Sequence, residues 1–194
     1  MIGIKNLHFG DFFFGLLQIA YFYTLKSKHM ATVHLKGTPL QTSGELPSVG
    51  SAAPDFKLTA SDLSEKTLKD FVGKQIILNI FPSIDTGTCA QSVRTFNKMG
   101  SAKENTVVLC VSKDLPFAQA RFCGAEGLEN VVNLSDFKDG NFGNSYGLSF
   151  VEGPLAPLHS RAVVVINSEG KVMYTEQVNE IVDEPNYQAA LAVL

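Results

Sequence analysis

A cysteine that joins a predicted strand to a predicted helix is the residue of this sequence best placed for chemistry. Residues 81–89 (FPSIDTGTC) leave an apolar run of strand length, and the pattern from Cys89 onward is helical. A helix N-terminus offers unpaired backbone N–H groups and the positive end of the helix dipole, and both favour a thiolate. Because the thiolate is the nucleophilic form, Cys89 is a candidate for nucleophilic or redox chemistry. For an isolated cysteine, a small buried residue at a helix start is the competing interpretation.

The chain has two further cysteines in different settings. Cys110 has apolar neighbours on both sides within a predicted strand, which indicates an unreactive core residue. Cys123 lies toward the end of a predicted helix. Three cysteines are too few for a disulfide scaffold, and the lack of a CxxC pair argues against structural zinc. At least one thiol is unpaired, so we expect a reducing, cytoplasmic compartment.

The elements that must position Cys89 follow from hydrophobic runs. Continuous apolar stretches of strand length, typical of strands buried on both faces of a sheet, cover 75–81, 106–111 and 162–166. A helix over 89–99 between the first two completes a β-α-β unit. The run 171–178 follows a turn and predicts an antiparallel hairpin with the preceding strand. A cysteine after the first strand therefore lies beyond the carboxyl end of a sheet, where sites of α/β proteins form.

The remaining elements are predicted from shorter patterns. We assign an N-terminal β-hairpin to 32–42 and a loop to 48–58. A helix capped by Ser61 or Asp62 is assigned to 61–71, and a short strand to 131–134. Asp114 with Pro116 indicates the capped start of a helix that ends by Gly124 or Gly127. A last helix opens at 184–185 and runs to Leu194. This order predicts an α/β fold with a central mixed sheet flanked by helices, the arrangement of thioredoxin-like proteins.

Composition limits the classes of function. A chain of 194 residues suits one domain, and its apolar fraction of 45% and charged fraction of 18% are typical of a globular protein. The formal net charge of −3, with scattered Lys and Arg, gives no electrostatic reason to expect a nucleic-acid partner. No cluster of histidines and acids has metal-ligand spacing. We therefore expect no cofactor and no metal.

Residues 1–29 differ from the domain that we assign to 30–194. The stretch 12–25 is almost wholly apolar, yet it is shorter than the roughly 18 residues that a membrane-spanning helix needs. Its length suits a secretory signal, but Asp11 precedes it and no clear cleavage site follows. A start site assigned too early, with Met30 as the true start, competes with an anchor or a signal. A genuine extension would allow a periplasmic or membrane-anchored location.

Three segments resemble the signatures of one protein family. Pro82, Thr86 and Cys89 match the P-x-x-x-[TS]-x-x-C signature of peroxiredoxins, and PSIDTGxC resembles their thiol peroxidase subfamily. Residues 114–127 (DLPFAQARFCGAEG) and 160–166 (SRAVVVI) are similar to the second and third signatures of that subfamily. The resemblance covers residues 30–194, and only the first 29 residues depart from the family pattern.

The resemblance implies a two-cysteine peroxidase of the atypical type. Cys89 is then the peroxidatic cysteine, which attacks a peroxide oxygen and becomes a sulfenic acid. Cys123 is the resolving cysteine, which forms an intramolecular disulfide with Cys89 that thioredoxin reduces. Two helical cysteines rarely meet the Cα separation of about 4.4–6.8 Å that a disulfide needs, so local unfolding is expected. A buried cysteine on an amphipathic helix is the competing interpretation of Cys123.

Three further residues acquire roles from the resemblance. Arg161 supplies a permanent cation near the thiolate and the peroxide, although an isolated arginine before a strand would more often form a surface salt bridge. Thr86 places a hydroxyl near the thiolate or the substrate, and it also fits a helix N-cap. Pro82 shapes the loop and shields the sulfenic acid. His159 could line the same site, but a loop histidine is more often solvated.

The implied substrates are hydrogen peroxide and organic hydroperoxides, and the implied assembly is a homodimer. A redox sensor or disulfide-exchange protein without efficient turnover is the alternative of a different class. A thioredoxin-like reductase is disfavoured because that chemistry uses two thiols in CxxC.

Overall fold

The structure is a computed structural model that describes residues 29–100 and 102–194. The predicted N-terminal extension lies outside this part of the chain, apart from His29. The strands are β1 (Thr32–Leu35), β2 (Thr38–Gln41), β3 (Lys57–Ala60), β4 (Glu65–Thr67), β5 (Gln75–Ile80), β6 (Thr106–Ser112), β7 (Val131–Ser135), β8 (Ala162–Ile166) and β9 (Val172–Gln177). The helices are α1 (Gly87–Gly100), α2 (Pro116–Glu126), α3 (Asn141–Ser145), α4 (Tyr187–Leu191) and a 3-10 helix (Leu68–Phe71).

The central sheet is mixed, as the sequence predicts. Its seven strands follow the order β4-β3-β7-β6-β5-β8-β9, with β5, β6 and β7 parallel and the other neighbours antiparallel. β1 and β2 form the expected N-terminal hairpin, in which Val33 pairs with Leu40. The predicted thioredoxin-like fold, with a mixed sheet and an N-terminal hairpin, is confirmed.

Helices cover both faces of the sheet because successive strand residues point in opposite directions. Ile77 packs in the cluster that contains residues of α1, α2 and α4, whereas Leu78 packs on the other face with Phe142 of α3. Both strand residues are 0% exposed. This burial explains why β5 reads as a continuous apolar run. Within residues 29–100 and 102–194, no helix is both long and apolar enough to cross a membrane.

The helix predicted over 61–71 is wrong for residues 61–67, and only Leu68–Phe71 form a short 3-10 helix. Leu63 has a positive φ of 67° and is 53% exposed, so it does not belong to an apolar helix face. The Asp62 side chain accepts hydrogen bonds from the backbone N–H and the hydroxyl of Ser64 within a turn. The following residues form β4, which pairs with β3. The spacing of apolar residues could not predict β4, because this strand is stabilised by its pairing with β3.

Two helix boundaries also need correction. Asp114 is not the N-cap of α2: that position is Leu115, which makes no side-chain capping bond. α2 does end at Gly127, whose φ of 65° is left-handed. The last helix is shorter than predicted and covers only Tyr187–Leu191. Its N-cap is Asn186, whose side chain accepts from the backbone N–H of Ala189.

Candidate active site

Cys89 lies in the first turn of α1, directly beyond the end of β5. It is the third residue of the helix and is 0% exposed. Its neighbours in the same hydrophobic cluster include Val93 and Phe96, which lie on the inward face of α1. The sulfur is therefore held at a helix N-terminus within a site that excludes bulk water.

Arg161 brings a cation to this sulfur. Its Nη2 donates to Sγ of Cys89 over 3.4 Å, and its Nε donates to the carbonyl of Ile181 over 3.0 Å. The sheet explains the meeting, because Ile80 at the end of β5 pairs with Ala162 at the start of β8. Arg161 is only 2% exposed, so it does not form the surface salt bridge expected of an isolated arginine. A buried guanidinium at this distance stabilises negative charge on sulfur.

Pro82 and Thr86 lie at the mouth of the site. Pro82 is buried, whereas Thr86 is exposed and its hydroxyl donates to the carbonyl of Ser83 over 3.2 Å. Both residues line a cavity of about 320 Å³ together with Arg161, Ile181 and Val182. The hydroxyl of Thr88 donates to the carbonyl of Val182, so the chain after β9 closes one side of the site. No sequence pattern indicated this last contribution.

All three cysteines are free thiols in the structure. Cys123 is 8% exposed and accepts a hydrogen bond from Nδ2 of Asn133 over 3.0 Å. Burial raises the pKa of Cys123, and the Asn133 amide partly opposes that rise. Cys110 is 0% exposed, and burial raises its pKa to about 12, which agrees with the predicted core role. Cys89, Cys110 and Cys123 belong to one hydrophobic cluster.

A charged contact joins the two helices that carry Cys89 and Cys123. Arg94 of α1 donates from Nε and Nη2 to the two carboxylate oxygens of Glu126, over 2.9 and 2.7 Å. The Arg94 guanidinium also lies 5.5 Å from the centre of the Phe122 ring. Both partners are on α2, so any movement of Cys123 away from the folded position must break or strain these contacts.

His159 occupies a different place from the one expected. It is 0% exposed, and its Nε2 lies 3.2 Å from Oδ2 of Asp136, so it is not solvated. Its ring packs against Phe142. This puts His159 in a buried polar pair beside α3. Among the described residues there is no group of three or more His, Cys, Asp or Glu side chains that could hold a metal ion.

Asp114, Asn133 and the segment 181–182 are contributors to this region that sequence reasoning missed. Asp114 stands within the second signature, where the sequence pattern predicts a helix cap, but two of its partners, Ser83 and Ile84, lie 30 or more residues away along the chain. Asn133 of β7 donates a hydrogen bond to Cys123. A sequence signal for this residue is a polar side chain within the otherwise apolar run 131–134.

A thioredoxin-like sheet that holds a buried thiol at a helix N-terminus, against a buried guanidinium, defines a thiol-dependent oxidoreductase. Comparison with known proteins narrows this class. The Redoxin family model matches residues 48–191. The chain is 57% identical over 165 residues to the thiol peroxidase of Mycobacterium bovis and to that of Mycobacterium tuberculosis, which covers 85% of this chain and 99% of each relative.

Solved structures agree with the sequence relatives. A peroxiredoxin-like protein from Aquifex aeolicus is 39% identical, with a TM-score of 0.79 over 84% of this chain and 96% of that one. A thiol peroxidase from Chromobacterium violaceum, 21% identical, has a TM-score of 0.78 over 83% of this chain and 94% of that one, a likeness of fold. The chain therefore belongs to the peroxiredoxins of the Redoxin family and, among them, to the thiol peroxidases, oxidoreductases that reduce peroxides.

Proposed function

We propose that this enzyme reduces hydrogen peroxide and organic hydroperoxides with Cys89 as nucleophile and Cys123 as resolving thiol, and that thioredoxin recycles it. The 3.4 Å contact between Nη2 of Arg161 and Sγ of Cys89 is the observation that carries the proposal. A permanent cation beside a buried sulfur favours the nucleophilic form and can also polarise the peroxide.

In the first step, the Cys89 thiolate attacks one oxygen of the hydroperoxide. A sulfur–oxygen bond forms, the O–O bond breaks, and hydroxide or alkoxide leaves and takes a proton to give water or alcohol. The guanidinium of Arg161 stabilises the charge that moves to the leaving oxygen. The apolar side chains of Leu35, Leu155 and Ile181 line the cavity and leave room for the organic part of a hydroperoxide.

In the second step, the Cys123 thiolate attacks the sulfur of the Cys89 sulfenic acid. A disulfide forms and hydroxide leaves, and reduced thioredoxin then returns two electrons through thiol–disulfide exchange. Cys123 lies in the last turns of α2, and its carbonyl accepts from the N–H groups of Gly127 and Leu128 at the helix end. Unwinding from this end frees Cys123, since helix ends are the first parts to open, and it breaks the contact between Arg94 and Glu126.

The test is peroxide-dependent NADPH oxidation in the presence of thioredoxin and thioredoxin reductase. Cys89→Ser is expected to abolish turnover. Cys123→Ser is expected to retain oxidation of Cys89 but to lose the intramolecular disulfide and most of the thioredoxin-supported turnover. Cys110→Ser serves as the matched control and is expected to keep both steps.

Three outcomes contradict parts of this proposal. Unchanged turnover in Cys89→Ser excludes Cys89 as the nucleophile. A Cys89–Cys110 disulfide in the mass spectrum of the oxidised protein excludes Cys123 as the resolving thiol. Oxidation of Cys89 without repeated turnover, even at high thioredoxin concentration, favours the sensor that the sequence left open.

We also propose that the enzyme is a homodimer. Leu115 is 52% exposed and Phe117 is 63% exposed, and both lie at the start of α2. Together with the resemblance to the peroxiredoxins, these neighbouring exposed apolar side chains are our candidates for the contact between subunits. Light scattering after gel filtration should give the dimer mass for the wild type, and Phe117→Glu should lower it. A wild-type monomer mass contradicts the proposal.

We propose that the enzyme lies in the cytoplasm, because an odd number of cysteines leaves at least one free thiol, which suits a reducing compartment. Cell fractionation with the intact mass of the native chain tests this. Recovery from the membrane or periplasm, or a processed N-terminus, contradicts it.

A further inference from the structure

Asp114 lies where the loop that carries Cys89, the end of β6 and the start of α2 come together. β5 and β6 are parallel neighbours, with Ile80 beside Val111, so the segments that leave the two strands run side by side. The loop after β5 leads to Cys89, and the segment after β6 leads to α2 and Cys123. In the sequence, Asp114 therefore lies between Cys89 and Cys123, in the segment that joins β6 to α2.

Its carboxylate accepts three short hydrogen bonds. Oδ1 accepts from the hydroxyl of Ser83 over 2.7 Å. Oδ2 accepts from the backbone N–H of Ile84 and from the hydroxyl of Ser112, each over 2.7 Å. Hydrogen bonds to an ionised carboxylate at these distances are stronger than neutral ones. The Ile84 bond fixes the main chain itself, five residues before Cys89.

The network continues from Ser112 into α2. The Ser112 hydroxyl accepts from Nε2 of Gln119 over 2.9 Å, and Gln119 is 1% exposed and lies one helical turn before Cys123. The same Nε2 donates to the carbonyl of Leu134 over 3.2 Å. The hydroxyl of Ser135 donates to the carbonyl of Asp114. One line of hydrogen bonds thus runs from the Cys89 loop through Asp114 to the helix of Cys123.

We propose that Asp114 is a positioning residue that holds the loop of residues 82–88 in the folded geometry needed for attack on peroxide. The inference rests on the proposed role of Cys89, and Asp114 acts through Ser83 and Ile84. Oxidation of Cys89 requires the loop 82–88 and the Arg161 guanidinium to keep their folded positions around the sulfur. Disulfide formation instead requires the structure around Cys89 and Cys123 to open. Loss of the Asp114 anchor therefore slows the first step without slowing the second.

The experiment measures the two steps separately in single turnovers. Oxidation of Cys89 is followed in a Cys123→Ser background by quenching, alkylation and mass spectrometry. Disulfide formation is followed in the chain that retains Cys123. With Asp114→Ala, the oxidation rate constant is expected to fall about 10- to 100-fold, as for displaced reacting groups. Disulfide formation is expected to be at least as fast as in the wild type.

Matched variants keep the result interpretable. Asp70→Ala removes a carboxylate that accepts from the N–H and hydroxyl of Thr67 before β5, at the end opposite Cys89, and should change neither step. Ser83→Ala removes one of the three bonds and should slow oxidation about two- to tenfold. If Asp114→Ala does not fold, Ser83→Ala decides the question alone.

Three outcomes overturn the inference: unchanged oxidation, an equal fall in both steps, or a fall in disulfide formation alone. An equal fall indicates general structural damage. These failures differ from failure of the proposed function, because Cys89→Ser reports on the nucleophile independently. Lost turnover in Cys89→Ser with unchanged rates in Asp114→Ala and Ser83→Ala rejects only the role of Asp114.

Discussion

Replacement of Arg161 by methionine should slow the oxidation of Cys89 and leave the fold in place. Methionine is unbranched and apolar, so it fills most of the space of the buried arginine stem. The change removes the donor at 3.4 Å from the sulfur of Cys89 and the bond from Nε to the carbonyl of Ile181. It leaves the helix N-terminus at Cys89 in place.

The magnitude follows from the contact that is lost. A hydrogen bond that involves a charged partner contributes about 1.5–3 kcal/mol, which corresponds to a rate decrease of about 10- to 160-fold if it is fully present in the transition state. Arg161→Lys keeps the charge but not the planar fork, so it cannot hold Cys89 and Ile181 in the same geometry. We expect an intermediate rate for this variant.

The assay is single-turnover oxidation by limiting hydrogen peroxide, quenched by thiol alkylation and analysed by mass spectrometry. Lys171→Met is the control, because this exposed lysine has a 3.2 Å ion pair with Glu169 in the turn after β8, away from Cys89, and its loss should have little effect. An oxidation rate in Arg161→Met within twofold of the wild type would refute the assigned role of the guanidinium. An equal decrease in Lys171→Met would show that the loss is not specific to the sulfur contact.

Three further predictions concern the surrounding residues. Burial raises the pKa of Cys123, and Asn133→Leu removes the amide that opposes this rise. Disulfide formation should therefore slow near neutral pH and reach the wild-type rate only in more alkaline buffer. A pH profile identical to that of the wild type contradicts this prediction. Cys110 titrates near 9.0 when unfolded but at about 12 when folded, so the unfolded state loses the proton first and stability falls as pH rises between these values. In urea titrations, the loss of stability per pH unit in that window should therefore be smaller for Cys110→Ala, by up to about 1.4 kcal/mol, and equal slopes would count against it. Glu126→Gln weakens the partly exposed, two-bond ion pair with Arg94. Disulfide formation should therefore accelerate by up to about fivefold at low salt and by less at high salt. An unchanged rate, or an acceleration that does not depend on salt, would show that this ion pair does not restrain Cys123.

The prediction for Glu126 and the inference for Asp114 describe opposite ends of α2. Asp114 ties the beginning of the helix to the Cys89 loop, and Glu126 ties its end to α1. The two anchors should therefore act differently on catalysis. Release of the first disturbs the peroxide-reactive loop, whereas release of the second frees the turn that contains Cys123.

The sequence predicted the central strands and α1 well because their signals are local. β5, β6 and β8 are buried on both faces and read as uninterrupted apolar runs. The prediction of one helix over 61–71 shows the limit of such signals, since β4 exists through pairing with β3. Leu68 and Phe71 pack against the core, whereas Leu63 is exposed.

The same division holds for the site. Cys89, Thr86 and Pro82 are close in the chain, and a strand followed by a helix is enough to predict a thiol at a helix N-terminus. Cys123 lies within the second signature and Arg161 within the third, so both residue types could be read from the sequence. The sequence therefore identifies which thiols and which guanidinium are available for the reaction.

Only the tertiary structure decided which of these groups meet. The pairing of β8 with β5 places Arg161 beside the sulfur of Cys89 and buries it. The parallel pairing of β5 with β6 turns Asp114 from an expected helix cap into an anchor of the Cys89 loop. The pairing of β6 with β7 sets Asn133 beside Cys110, below the helix that carries Cys123. The sequence determined the reactive groups through local patterns, whereas their partners depend on strand neighbours far apart in the chain, which local periodicity does not encode.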